Sequence, residues 1–442
     1  MYLLYSLLLT LALFALLPLF LLDALRHGKY VAGLRQRLGG VTTVDTGGRA
    51  IVWLHCVSVG ETQAARPLAR SLLECYPSYA LVVSTTTLTG QRLAHEVFGD
   101  YAAAIFYFPF DWAWSVRRCL RKVKPSLVLV METELWPRFL LECRRRNVPV
   151  ALVNGRISEQ SFKGYWRLGR FIERVVSSLT LAIMQTEADA VRIRALGLAP
   201  ERTRVAGNVK FDADFAMEAQ PFTLELRKRF KFDDQQRPLI VAASTHAPEE
   251  SVVLNAFRQI CAANNHARPR LLIAPRHPER FAEVTSLIES SGCSWARRSS
   301  ISSVNDHSCD VILLDSIGEL RAVYPLAHLV FVGGSIARTG GHNVLEPAAA
   351  AKCIITGAHT FNFSSIMRDF LEREALVQLP ALTEAQAPSA LAQIFRELLN
   401  DDDRRCRIGE RARAALEESR GATAQTIELL APLLDQRSEV RD

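Results

Sequence analysis

From residue 50 onward, short runs of aliphatic and β-branched residues alternate with longer stretches whose apolar positions recur every three or four residues. The runs AIVWLHCVSV (50–59), ALVVSTTT (80–87), LVLVMETELW (127–136), PVALVNG (149–155) and LTLAIMQT (179–186) are nearly continuous in apolar character. They predict strands of a parallel sheet buried on both faces. The intervening AARPLARSLLECY and RFLLECRRRN carry the spacing of helices packed on such a sheet. A charged stretch poor in strand signals (208–238) interrupts the pattern, with a linker expected near 208–236. The alternation then restarts at LIVAAST (239–245), RLLIAPRHP (270–278), DVILLDS (310–316), LVFVGGS (329–335) and CIITG (353–357). Two doubly wound α/β domains in tandem are predicted. Ligands in such sheets bind beyond the carboxyl ends of the strands, so the active site is expected in a cleft between the domains.

The N-terminus departs from this alternation. Met1 to Leu22 carries no charged side chain, and Asp23, Arg26, Lys29, Arg35 and Arg37 follow. Roughly 20 apolar residues suffice to cross a bilayer core of about 30 Å. With the basic residues after the apolar run, the expectation is a single-pass membrane anchor over residues 1–25, the remainder staying cytoplasmic. A segment lying in the interface is the alternative, favoured by the helix breaker Pro18.

At 442 residues the chain is too long for one ordinary core. Its nine cysteines are scattered and never form C-x-x-C, which argues against a disulfide framework or zinc site and for a reducing compartment. The net charge of +7 suits anionic membrane lipids or a phosphorylated lipid. No basic stripe tracks a phosphate backbone, so nucleic acid is set aside. No cofactor is expected, nor a protein-held metal. Asp212/Asp214 and Asp401/Asp403 do not follow strands, and no histidine cluster has ligand spacing.

Candidate chemistry gathers at the predicted strand ends. Glu61, in HCVSVGETQAARPL, stands where a strand gives way to a helix, as a helix-start acid, a phosphate-site neighbour or a catalytic base. Glu132 and Glu134 are spaced to leave a strand in one direction, either as a salt-bridged rim or as buried acids needing a cation such as Arg156 or Lys210. In the second half, Gly333, Gly334 and Ser335 end a strand, and Gly340-Gly341 opens a helix carrying Asn343 and Glu346 on one face. That pattern fits either phosphate and ribose binding or a glycine-rich turn with a helix-start acid. Arg276 and His277 could meet a phosphate or form a solvated loop. Ser244, Thr245 and His246, and also Gly318 and Glu319, are ligand contacts or caps. Aromatic and basic residues mix in 106–125 and 161–171, as at a lipid headgroup or on an ordinary helix surface.

In order along the chain, SVGET, METELWP, GNVKFD, PRHPER, GELRAVYPLA and GGHNVLEPAAA, after an apolar N-terminus, resemble the 3-deoxy-D-manno-octulosonic acid (Kdo) transferases that act on lipid A precursor. The resemblance covers nearly the whole chain. It implies a GT-B fold, two Rossmann-like domains facing a central cleft behind an N-terminal membrane anchor helix. It also implies an acceptor domain at 45–213 and a CMP-Kdo donor domain at 214–430. By motif match, Glu61 takes the place of the general base of an inverting, metal-independent transfer. Arg276, His277, Gly318, Glu319, Leu320, Asn343 and Glu346 fall at CMP-binding positions. Glu132, Glu134 and Lys210 are carried over as acceptor or cleft residues. Two alternatives remain: a GT-B transferase or epimerase using a UDP-sugar, and a non-catalytic module that senses a lipid or nucleotide.

Overall fold

The computed structural model describes residues 1–27, 33–213, 221–232, 237–263 and 268–435. Asp214, Lys29 and parts of the expected linker (214–220 and 233–236) lie outside the described residues. The chain divides into two compact units, Met1–Asp214 with Ser419–Asp442, and Phe215–Glu418. The division expected at 430 is therefore corrected: the last segment belongs to the first unit. Its helix Ala422–Asp435 starts on the carboxylate of Asp212, which accepts the N–H groups of Gly421 and Thr423 at 2.6 and 2.5 Å. It then buries Ile427, Leu430 and Leu434 in that unit's core. Nothing local in the sequence reports this return, because it depends on a contact more than two hundred residues away.

The first unit holds β1 (Ala50–Cys56), β2 (Tyr79–Thr85), β3 (Ala102–Tyr107), β4 (Leu127–Met131), β5 (Val150–Gly155), β6 (Leu181–Met184) and β7 (Thr203–Val205). They form a parallel sheet in the order β3-β2-β1-β4-β5-β6-β7. Alternate side chains of β1 feed two cores. Trp53 packs edge-on to Phe139 with ring centroids 5.1 Å apart, whereas Val52 and Leu54 join the opposite cluster. Strands β3 and β7 carry weaker apolar signals than their neighbours, which is why periodicity alone did not call for them.

The second unit repeats the plan with β8 (Leu239–Thr245), β9 (Arg270–Pro275), β10 (Trp295–Arg297), β11 (Val311–Leu313), β12 (Leu329–Val332), β13 (Cys353–Thr356) and β14 (Val377–Gln378). Its parallel order is β10-β11-β9-β8-β12-β13-β14. In each sheet the first strand stands next to a strand reached by crossing to its other side. The resulting switch points lie between β1 and β4 and between β8 and β12, where doubly wound sheets open a crevice for ligands.

The anchor expectation is corrected. Among the described residues, no helix is long and apolar enough to cross a membrane. The first turns of the helix Tyr2–His27 instead dock on the first unit through polar groups. Arg138 donates from Nε to Ser6 Oγ at 2.9 Å and from Nη2 to the Tyr2 carbonyl at 2.7 Å. Trp112 Nε1 donates to Thr10 Oγ1 at 3.1 Å, the Tyr5 hydroxyl bonds the buried Asp111 carboxyl, and the Tyr2 and Tyr5 rings lie against Phe171. The few hydroxyl groups in an otherwise apolar stretch are thus its attachment points. That the protein is tethered to the inner membrane by a single N-terminal pass is set aside with it.

Candidate active site

Ser58 ends β1 in an extended conformation and caps the helix Val59–Cys75. Glu61 is the third residue of that helix, the reciprocal position of a capping box. Its carboxylate accepts the Val57 N–H at 2.7 Å and the Ser58 hydroxyl at 3.0 Å, and only 6% of the residue is exposed. The helix therefore starts two residues earlier than Glu61 and contains Pro67 well inside. The acid is pinned by two hydrogen bonds before any substrate arrives. Burial, reinforced by the nearby Glu132 and Glu134 charges, pushes its pKa up to about 7, against the pull of the Val57 N–H and Ser58 hydroxyl. Desolvation thus outweighs the helix dipole, which by itself would favour the ionised acid.

On the other side of the switch point, β4 stops at Met131 and Glu132 adopts a left-handed turn (φ 53°). The two acids at 132 and 134 thus leave a turn rather than a strand, and they do not share one direction by strand alternation. Glu132 Oε1 lies 2.8 Å from Lys210 Nζ. Lys210 is held by a short 3₁₀ turn after β7, whose start Asn208 caps at 3.1 Å. Lys210, one of the two cations considered for this acid, provides an ion pair. Glu134 is raised to about 7 by burial and then by Glu132. It lines a largely apolar cavity of about 650 Å³, with Leu4, Tyr5, Leu168 and Phe171 among its walls. Glu61, Glu132 and Glu134 are thus electrostatic neighbours at the carboxyl ends of the adjacent strands β1 and β4, and Lys210 reaches Glu132 from the turn after β7.

The second unit gathers a different set at its own switch point. Thr245 and His246 end β8, Arg276 and His277 follow β9 and are exposed, and the glycine-rich loop follows β12. Gly334 and Ser335 were expected to offer their N–H groups to a phosphate; those groups are already taken. The fully buried Glu249 accepts from Gly334, Ser335, Ile336 and Ala337 at 2.7, 2.9, 2.8 and 3.1 Å, and from His246 at 3.0 Å. Burial raises this carboxyl, and the N–H groups of Gly334, His246, Ile336 and Ala337 pull it part of the way back. Sequence reasoning missed Glu249 as the organiser of the loop. Its position three residues after His246, before a helix, was the available signal.

Asn343 lies two residues before the helix Leu345–Ala349, its Oδ1 accepting the Leu345 N–H at 3.0 Å. Asn343 and Glu346 therefore do not share a helical face, as their spacing had suggested. Glu346 lies 3.3 Å from Arg321 and is about a quarter exposed (side chain 23%). Gly318 is exposed with φ 87°, Leu320 is half-buried, and Glu319 turns its carboxylate to Arg298 at 2.8 Å. Of that GEL motif, backbone and Leu320 remain for a ligand, whereas the Glu319 side chain is committed to structure. Among the described residues, no group of three histidine, cysteine or acidic side chains is placed to hold a metal ion.

A family model described as 3-deoxy-D-manno-octulosonic-acid transferase (kdotransferase) matches residues 32–213. The chain is 34% identical over 413 residues to a 3-deoxy-D-manno-octulosonic acid transferase of Haemophilus influenzae, covering 93% of this chain and 94% of that one. The chain belongs to this transferase family. It is also 34% identical over 436 residues to the Bordetella pertussis enzyme of the same description, covering 95% and 97% of the two chains. Its activity is therefore that of a glycosyltransferase of lipopolysaccharide synthesis. A solved UDP-GlcNAc 2-epimerase from Neisseria meningitidis, bound to UDP-GlcNAc, superposes with a TM-score of 0.58 over 86% of this chain and all (100%) of that one. At 12% identity that likeness speaks for the two-unit parallel α/β architecture, consistent with GT-B, and for nothing finer.

Proposed function

We propose that this transferase moves Kdo from CMP-Kdo to a hydroxyl of lipid A precursor, with Glu61 as general base. The observation that carries the assignment is a pinned, buried carboxyl with a pKa of about 7 at the β1/β4 switch point. A base is most effective when its pKa lies near the working pH, since it is then both available and strong enough to take a proton. Glu61 removes the proton as the acceptor oxygen bonds to the anomeric carbon. The bond from that carbon to the phosphate oxygen breaks, and CMP leaves with the electron pair. Displacement in one step inverts the anomeric centre.

The first unit supplies the acceptor side. The apolar cavity beside Glu134 suits acyl chains of a lipid, and Lys210 pairs with Glu132 next to the base. The second unit supplies the donor side, where Arg276 and His277 meet the CMP phosphate and Asn343, Glu346 and the Gly318–Leu320 turn meet the nucleoside. Gly334 and Ser335 act there through the loop that Glu249 shapes, not through their own N–H groups.

The test is to incubate the purified protein with lipid A precursor and a CMP-Kdo generating system and to count added sugars by mass spectrometry. Mass increments of Kdo that vanish without the donor are expected. No increment, or an equal one with a UDP-sugar in place of CMP-Kdo, overturns the reading.

A further inference from the structure

At the switch point of the second unit, two histidines from opposite sides meet nitrogen to nitrogen. His246, at the end of β8, and His342, in the loop after β12, bring their Nε2 atoms to 2.8 Å with ring planes within 5° of parallel. His277, after β9, stands edge-on to His246 with centroids 5.0 Å apart. The approach is built in. A Cβ on Gly334, whose φ is +69°, would lie 2.9–3.0 Å from the His342 ring, so this glycine makes room for it. Glu249 fixes both supports at once by binding the His246 and Gly334 N–H groups.

Two imidazole nitrogens at that distance must share a proton, since a lone pair has to face an N–H. In the neutral pair, one ring donates across the contact and the other accepts. Each ring keeps its Nδ1: one Nδ1 then bears a hydrogen and the other a lone pair. Uptake of one proton at the lone pair converts both Nδ1 atoms into donors and gives the pair a single positive charge. A second proton is disfavoured by repulsion across the contact. The pair therefore has two states, differing by one proton, and only the protonated one presents two donors.

The surroundings hold the pair in its neutral state. His246 faces His277, Arg280 and Arg276 on the cationic side and Glu250 on the other, and Glu250 is itself paired to Arg280 at 2.6 Å. His342 faces His246, Arg276 and His277. Burial and these cations lower His246 and bring His342 down to about 4. An anion entering among Arg276, His277 and the pair reverses the balance, because its charge offsets that repulsion and rewards a new N–H donor.

We propose that the His246–His342 pair is a proton-linked anion receptor that takes up one proton when the nucleotide's phosphate binds. The proposal rests on the donor reading of the second unit and adds specificity residues to it. It makes binding of a nucleoside monophosphate and of a proton one event, so that the affinity for CMP falls as pH rises. With full coupling the loss is about tenfold per pH unit.

The experiment is titration calorimetry of the full-length protein with CMP at pH 8.0 in buffers of different ionisation enthalpy. Wild type is expected to take up close to one proton per CMP. His246→Gln combined with His342→Gln is expected to abolish uptake, weaken CMP binding and flatten its pH dependence. Histidine ring nitrogen shifts of the wild type, read by NMR with and without CMP, report the same protonation without any variant. CMP binding without proton uptake, or uptake unchanged in the double variant, overturns this proposal alone. Failure of the wild type to bind CMP at all overturns the donor reading and this proposal with it.

Discussion

Lys210 and Glu132 meet at 2.8 Å across 78 residues of sequence, each about a quarter exposed or less. The pair sits beside Glu61, whose proton affinity Glu132 helps to raise. Lys210 offsets part of the Glu132 charge. Lys210→Met should therefore move the acid limb of the pH–rate profile upward and lower the rate more at pH 6.5 than at pH 8.5. The profile of kcat/KM is the measurement, and an unmoved limb would show that the pair is only structural.

Glu61→Gln keeps an oxygen to accept the Val57 N–H but cannot take a proton. Turnover should fall by about 10²- to 10⁴-fold while CMP affinity is unchanged. Wild-type activity should rise with pH through about 7, where Glu61 loses its proton, as part of a coupled set with Glu134. Near-normal turnover of the variant would remove Glu61 from its role.

The same shift has a sign in stability. The folded pKa of Glu61, about 7, lies above its ordinary value of 4.5, and that of Asp111, also about 7, lies above 3.8. Each contributes stability that is fully present below the ordinary value and lost as pH rises through 7. The melting temperature of Glu61→Gln relative to wild type should therefore become more favourable from pH 5 to pH 8. Thermal melts at both pH values check it.

Glu249→Ala leaves four N–H groups of the glycine-rich loop, and that of His246, without their acceptor. A loss of about 3 kcal/mol or more is expected, with Glu249→Gln losing less because one oxygen remains. Urea unfolding gives the stabilities. The Gln variant should also bind CMP more weakly, since the loop carrying His342 loses part of its mould.

Arg138 is 6% exposed and ties the N-terminal helix to the helix Pro137–Arg145 through Tyr2 and Ser6. Asp111 is held between the Arg138 and Phe139 N–H groups and Tyr5. Arg138→Ala should lower stability by about 2–4 kcal/mol and speed proteolysis within the first 30 residues. Mass spectrometry of a limited digest locates the cuts.

Much of the fold was legible locally. Near-continuous apolar runs separated by helical periodicity require parallel sheets covered on both faces, because only burial on both sides makes such runs stable. The order of the chain then placed Glu61, Arg276 and His277 at strand ends before any coordinates. Spacing misled where a strand or helix stopped early. Glu132 sits in a left-handed turn and Asn343 lies before its helix, so neither follows the periodicity assumed for it.

The sequence by itself determined the two sheets, the strand ends that carry chemistry and the family to which the chain belongs. Tertiary structure decided which of these residues act together. The Glu132–Lys210 pair, the shifted Glu61, the Glu249 cradle and the His246–His342 contact all join segments that meet in space and are distant in sequence. Tertiary structure also turned the apolar N-terminal stretch from an expected span into a docked helix. Hydropathy sums side chains one at a time, whereas docking depends on where Tyr5, Ser6 and Thr10 find their partners. The physical reason is common to all of these. Proton affinity and hydrogen-bond satisfaction are set by burial and by neighbouring charge, and both exist only once the chain has closed on itself.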